Sequence, residues 1–353
     1  MANSFKTLLP EDVATTRTLL HEAIPITGTI VSGTYSDNNI KYFAHGMYEA
    51  VYDYPYLSSS ANHIFDLTTG YASGSAFQSS ANVQDQKKIN IYNQMAQVLV
   101  GYDINGEIKE FDPSGSAGNS AQKMDSCFFI NFARLLTKDE IKKDSFRFDF
   151  FSNCPTASAF DPTARTGSIT IGDYGAQTSY LTDSPAGEYG LLYTASGPAG
   201  DIVGHIYYQA GVVVLTSSVV AAGTPTVTTA SAPSAIGTGS VEDLLVSGTI
   251  DEAANHIRYA YDDADFNNTT ELNSSIYFCR ANNTEFNYSS NPTYLSSSEI
   301  IVKGNNPQAD PVSYITTVGL YSPDNELLAV AKLSEPLKKS PSNEITLRVR
   351  MDY

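Results

Sequence analysis

The stretch GHIYYQAGVVVLTS, residues 204–217, decides the fold. It follows two similar runs, GSITIGDYG (167–175) and GEYGLLYTA (187–195), and all three are bounded by Gly, Pro, Asp or Ser. Side chains branched at Cβ and flat rings suit a pleated surface, and the punctuation supplies turns, so the three runs read as successive antiparallel strands. Working outward, SFRFDFFS (145–152) alternates as a strand does, with Phe146, Phe148 and Phe150 on one side and Arg147, Asp149 and Phe151 on the other. CFFINFARLL (127–136) reads as a buried strand leading to Thr137-x-x-Glu140, a capping-box spacing that predicts one helical turn. The clearest helix spans 86–100, where Ile89, Tyr92, Ala96 and Leu99 repeat on one helical face before Gly101.

Toward the N-terminus, Pro10, Glu11 and Asp12 suit a helix first turn, and the following TTRTLLHEA is expected to continue it. Residues 40–57 are dense in Tyr and Phe and close at Pro55 and SSSAN. Asn105-Gly106 between alternating residues predicts a hairpin. Beyond 241 the chain offers a strand, a helix containing HIRYAYDD, the strand SSIYFCRA, an Asn-rich loop and the strand EIIVKG. It ends in a hairpin with its turn at Ser322-Pro323-Asp324-Asn325, then a return strand. Val318 and Leu320 with Leu328 and Val330 are expected to cover a core face, and Ile345, Leu347, Val349 and Met351 to supply the return strand. The fold class is therefore mainly β with a few short helices, a β-rich α+β fold of antiparallel, sandwich-like sheets.

The chain has 353 residues, enough for one large domain or two ordinary ones at ~100–200 residues each. The stretch 221–240 carries no charge and concentrates Thr, Ala, Ser, Gly and Pro, the composition of an exposed connection. The expected division is an N-terminal β-rich α+β domain over 1–222, a linker or long loop over 223–240, and a C-terminal β domain over 241–353. IVSGTY at 30–35 echoes LVSGTI at 245–250, too short to establish a duplication.

Against 21 Lys and Arg stand 38 Asp and Glu, a net charge of −17, and this field repels nucleic-acid phosphates and anionic lipid surfaces. Neither a nucleic-acid nor a membrane partner is expected. The most apolar run, 211–223, is broken by Thr216, Ser217 and Ser218 and falls short of the ~20 residues that span a bilayer. The first residues lack a basic stretch followed by an apolar run, which predicts synthesis in the cytosol. Under those conditions the five N-x-[ST] matches between Asn267 and Ser289 do not read as glycan acceptors. Charged residues are only 17% against a typical ~25%, so polarity rests on Ser, Thr, Asn, Gln and 23 Tyr, with no Trp.

Cys127, Cys154 and Cys279 are too far apart for a metal spacing, and their odd number gives no disulfide framework, so buried reduced thiols are expected. There is no GxSxG, GxxxxGK[ST], HExxH, CxxC or EF-hand loop. His21, His45, His63, His205 and His256 are scattered without a ligand spacing, although His45 and His63 flank the aromatic segment and could meet in space. The acidic run YDDAD (261–265) reads as solvated charge at a helix end, and Asp251-Glu252 as the first turn of a helix. No catalytic, cofactor or metal site is expected.

The passage TTVGLYSPDNELLAVAKLSEPLKKSP (316–341) resembles a segment of tailed-phage collar and tail-fibre attachment domains. More broadly, LLHEAIPITGTIVSGTY, YPYLSSSANHIFDLT, KKINIYNQMAQVL, SPAGEYGLLY and EFNYSSNPTYLSSSEI resemble virion structural proteins of marine tailed phages with contractile tails. That resemblance implies a virion component of tail, baseplate or neck whose partners are other virion proteins and ring-forming copies of itself. Interfaces favour Tyr and Phe over Lys and Glu. Expected contact residues are Tyr42, Phe43, Tyr48, Tyr52, Tyr54, Tyr56, Leu320, Tyr321, Leu328, Val330 and Tyr353, together with the first forty residues and the final strand. Alternatives are a carbohydrate- or receptor-binding tail module, a capsid decoration protein, and a glycoside hydrolase with two carboxylates facing a cleft.

Overall fold

The computed structural model describes residues 5–23, 39–113, 123–151, 166–194, 201–217, 245–288, 295–296, 299–300 and 310–353. A 3-10 turn at Pro10–Asp12 leads into β1 (Val13–Ala23), followed by β2 (Ile40–Tyr42), β3 (Glu49–Tyr52) and β4 (His63–Tyr71). Helix α1 (Asp85–Leu99) precedes β5 (Ser126–Phe132), α2 (Arg134–Thr137), β6 (Glu140–Ile141), β7 (Arg147–Phe150) and β8 (Ile169–Gly172). Then come α3 (Ala176–Ser179), β9 (Leu181–Ser184), β10 (Gly187–Tyr193), β11 (Ile202–Tyr207) and β12 (Val212–Thr216). Helix α4 (Ile250–Ala260) leads to β13 (Tyr261–Asp265), β14 (Asn267–Ala281), β15 (Leu295–Ser296), β16 (Glu299–Ile300), β17 (Ser313–Tyr321), β18 (Leu327–Lys339) and β19 (Ile345–Asp352). The β-rich α+β class read from the sequence is the class observed.

By contact, the chain divides into a larger unit, Leu20–Thr270, and a smaller one, Met1–Leu19 with Glu271–Tyr353. The expected linker, 223–240, lies outside the described residues, as do Cys154 and the echo segment at 30–35. Residues on both sides of that linker belong to the larger unit.

The larger unit is built on one eleven-stranded sheet in the order β13-β7-β8-β10-β11-β12-β5-β4-β3-β2, with β9 beside β10. Two antiparallel meanders, β2 to β5 and β7 to β12, lie edge to edge where β12 pairs β5. Val213 opposes Ile130 and Leu215 opposes Phe128, all four in one core. On the other face Val214 opposes Phe129, and these belong to a second core with Val212 and Cys127. A strand buried on both faces shows a continuous apolar run instead of alternation, which is why GVVVLT and CFFINF read as they do.

In the first core the sheet's own aromatics meet. The Phe132 ring lies 5.9 Å from Phe65, 5.9 Å from Phe146 and 5.2 Å from Phe266, while Tyr261 of β13 lies 5.7 Å from Phe65 of β4. Strands from opposite ends of the order thus pack face to face, the sandwich-like arrangement expected. The second core is roofed by α1, whose Ile91, Tyr92, Ala96 and Leu99 pack with Phe111, Phe129 and Tyr207. That helix seats on β4 at Gly70, where a Cβ would sit 2.5 Å from the Lys88 carbonyl oxygen and 2.9 Å from the Tyr92 nitrogen.

Several local readings are corrected. TTRTLLHEA is strand β1, not helix, since repeated β-branched Thr favours extended backbone over a helix of three acidic and prolyl starting residues. Thr137 closes the helical turn α2 instead of opening one, and Glu140 enters β6. YDDAD is edge strand β13, paired with β7, because Tyr261 and Ala264 are drawn into the core. Leu245–Ser247 is a helical turn where a strand was expected. The Asn105-Gly106 turn forms, but only Gly106 takes positive φ, and the hairpin is one bridge, Tyr102 to Ile108. Helices 86–100 and the Asp251-Glu252 first turn agree with expectation, the latter through the reciprocal Thr249–Glu252 capping box.

Lys88 is fully buried on α1, and its ammonium donates to the carbonyls of Leu245 (2.6 Å) and Gly248 (2.7 Å), tying the approach to α4 onto α1. Two predictions follow from this packing. Gly70→Ala forces helix and sheet backbones apart and is expected to lower stability by ~1–3 kcal/mol in urea unfolding. Burial pushes the Lys88 ammonium down from 10.5 to about 8. The folded state then releases this proton before the unfolded chain does, so the group's contribution to stability rises from about pH 8 to about pH 10.5. Lys88→Met is expected to lack that rise relative to wild type when urea midpoints are compared at both ends of the window.

Candidate functional site

The terminal hairpin β17–β18 forms a two-stranded sheet of its own. Its turn closes with Asn325 in the left-handed region (φ 64) and hydrogen bonds from Ser322 N to Glu326 O (2.9 Å) and from Asn325 N to Ser322 O (3.0 Å). Asn tolerates that conformation because its short polar side chain bonds locally. Farther along, Ile315 opposes Leu337 but Thr317 opposes Lys332, so β18 bulges, and Pro336, which has no N–H to offer a ladder, lies in the bulge.

A second register shift between Leu320 and Tyr321 overturns the expected core face. Val318 and Leu320 oppose Ala331 and Ala329, and all four are half-buried. Leu328 and Val330 instead share the other face with Gly319 and Tyr321, because one inserted residue flips every later side chain. That face is open, with Leu328 65% and Val330 50% exposed. The Tyr321 ring lies over Gly319, where a Cβ would meet it at 2.9 Å, and packs tilted against Phe5 at 4.7 Å. The return strand β19 does not join this hairpin but pairs β14 over Ser274–Ala281. Exposed Tyr353 at its end bonds through its hydroxyl to Ser275 Oγ (3.1 Å).

The aromatic segment 42–56 separates into two clusters. Phe43 lies 4.7 Å from Tyr48 and 5.3 Å from His45, under the Lys41 ammonium at 4.9 Å. Tyr52 lies 5.4 Å from His63 and 6.4 Å from Tyr56. His63 is bound to Asp66 (2.9 Å), so His45 and His63 each have their own partners. Tyr42 is partly exposed and donates to Asn255 Oδ1 (3.1 Å). Tyr54 and Tyr56 are exposed beside Leu57, on a loop held by Asp53, which accepts from Asn62 N (2.6 Å) and Nδ2 (2.8 Å).

Three polar groupings were not legible in the sequence. Arg258 Nε lies 3.4 Å from the Glu49 carboxylate, both buried, and donates to Asn255 Oδ1 (3.1 Å). Asp173 is fully buried and accepts from Asp144 N (2.7 Å), Phe146 N (2.9 Å), Tyr208 Oη (3.0 Å) and Arg147 Nη1 (3.1 Å). Burial outweighs these donors and raises its carboxyl to about 6. His205 is buried among Phe111, Tyr189 and Tyr207, and desolvation holds it down to about 4, neutral at physiological pH. The first ties helix α4 to β3, and the second ties the end of β8 to the turn before β7 and to Tyr208. Cys127 is buried and Cys279 half-buried, and burial raises both thiols above their ordinary value. Among the described residues, no group of three or more His, Cys, Asp or Glu is placed to hold a metal ion.

In the smaller unit, β14 and β19 border a polar groove of about 300 Å3 lined by Phe278, Arg280, Asn282, Glu344 and Thr346. Compared with protein-family models, curated proteins and solved structures, the chain matches none.

The buried ion pair gives a stability test. Arg258→Met removes the guanidinium beside the buried Glu49 carboxylate and is expected to cost ~3–5 kcal/mol, whereas adding Glu49→Gln recovers part of that loss. A double-mutant cycle by urea unfolding measures the coupling.

Proposed function

We propose that this chain is a structural subunit of a tailed-phage virion, in the tail, baseplate or neck, that joins neighbouring virion proteins and copies of itself through contact area and performs no chemistry. The observation that carries the reading is the β17–β18 ribbon. A two-stranded hairpin is marginal alone in water, yet this one presents Phe5, Tyr321, Leu327, Leu328 and Val330 to solvent together. An apolar cluster on a thin ribbon gains stability when a neighbour covers it. The resemblance of 316–341 to collar and fibre-attachment segments supports the same reading and coincides with this ribbon. A virion location follows from the role.

A second reading, a carbohydrate- or receptor-binding tail module, draws on exposed Tyr54 and Tyr56, whose rings suit stacking on sugar faces. Glycan-array binding lost in Tyr54→Ala and Tyr56→Ala would favour it.

Native mass spectrometry across a concentration series tests the structural reading. The expected outcome is a homo-oligomer of fixed copy number that Leu328→Ser with Val330→Ser weakens at least tenfold, with circular dichroism unchanged. A strict monomer at every concentration would overturn it.

A further inference from the structure

Charge is segregated along this chain. The larger unit, Leu20–Thr270, carries 12 Lys and Arg against 27 Asp and Glu, a net of −15. The smaller unit carries 9 against 11, a net of −2. Four of the chain's arginines belong to the smaller unit, and the β14–β19 ladder sets three of them on one face. Phe278 opposes Arg348, Ile276 opposes Arg350 and Arg280 opposes Thr346, and cross-strand partners share a face. The three arginines thus share one face of the ladder with Ile276 and Phe278, and the polar groove lies at its Arg280 end. Arg280 reaches Asp12 (2.8 Å) and Arg350 reaches Asp352 (2.7 Å), yet both side chains stay about half exposed at 54% and 50%. Arg348 is exposed and, among the described residues, has no ion pair or hydrogen bond.

The larger unit presents the complementary feature on its edge. Strand β13 ends the eleven-stranded sheet. Asp263 stands directly opposite Asp149 of β7, and Asp265 is opposite Arg147. Ala264 and Phe148 on the alternate positions enter the core, so the three carboxylates point away from it. Like charges directly opposed across a ladder are destabilising. Arg147 does not relieve them, because its guanidinium stacks on Tyr174 at 3.9 Å and bonds Asp173 at 3.1 Å. Asp149 Oδ1 is buried without a hydrogen-bond partner among the described residues. Burial first, and then the neighbouring carboxylates, push the Asp263 carboxyl up from its ordinary value.

We propose that the arginine face of β14–β19 on one copy docks on the acidic edge strand β13 of a second copy, giving a heterologous head-to-tail contact. The occupant is a second copy because the same chain supplies both signs of charge on separate surfaces. Net repulsion between copies is screened beyond ~8–10 Å at ordinary ionic strength, so local complementarity governs the contact. A head-to-tail contact closes into a ring or extends as a filament, according to the rotation between copies. This inference rests on the assembly reading above and assigns the surface by which copies recognise one another.

Two full-length variants test it, Arg348→Glu with Arg350→Glu, and Asp263→Lys with Asp265→Lys, each checked for folding by circular dichroism. By native mass spectrometry at constant ionic strength, each alone is expected to associate ~10–100-fold more weakly than wild type. Mixed one to one, both contacts become complementary again, and an alternating assembly is expected. Variants that assemble as wild type does, or a mixture that stays dissociated, would overturn this contact while a wild-type oligomer leaves the structural role standing. A wild type that remains monomeric would overturn the role itself.

Discussion

Everything in the larger unit depends on the pairing of β12 with β5. These strands are distant in sequence, and their ladder from Val212–Asn131 to Thr216–Cys127 joins the two meanders into one sheet. Because both faces are buried there, one set of side chains serves the aromatic core beneath and the alternate set serves the core under α1. A slip of one residue would exchange the two sets, so burial on both faces fixes the register as firmly as the hydrogen bonds do. The rest follows outward: α1 needs Gly70 to reach β4, Lys88 on α1 needs the carbonyls before α4, and α4 delivers Tyr261 back to the core from the far edge.

How much of this was legible in the sequence depends on whether a signal was local. Helix α1 and the strands with clear alternation or dense β-branching were readable because each residue's role was decided by its neighbours in the chain. Strand β1 was misread because Pro10 to Asp12 do form a turn, and nothing local says that the backbone extends immediately after it. The run at 261–265 was misread for a different reason: three Asp in five residues look like solvated charge, and only the core's demand for Tyr261 and Ala264 makes the segment a strand. The hairpin at 313–339 was found, yet its faces were exchanged by bulges that leave no unambiguous mark in the text.

The buried charges were beyond sequence reading for a related reason. Glu49, Lys88, Asp173 and Arg258 lie in segments whose neighbours suggest surface, and the fold chooses their partners from far along the chain: Phe146 lies 27 residues from Asp173, Leu245 157 from Lys88 and Arg258 209 from Glu49. Each is satisfied by backbone carbonyls, backbone amides or an opposite charge, which is the condition for tolerating a buried ion. They pin particular strands together and make one arrangement of an otherwise aromatic, permissive core preferable to others. Their placement inside the larger unit also separates them from the charges that face outward.

That separation bears on how such a chain meets a neighbour. The repulsion from a net charge of −17 is screened beyond ~8–10 Å at ordinary ionic strength, so at contact a few arginines or aspartates set in rows dominate the local field. The apolar ribbon and the arginine face both belong to the smaller unit, while the acidic edge belongs to the larger one. Apolar cover supplies area without direction, since any greasy neighbour satisfies it; a row of cations matched to a row of carboxylates admits one orientation and disfavours its reverse. Affinity from the ribbon and direction from the charges are therefore different contributions, and an assembly with a single repeating contact needs both.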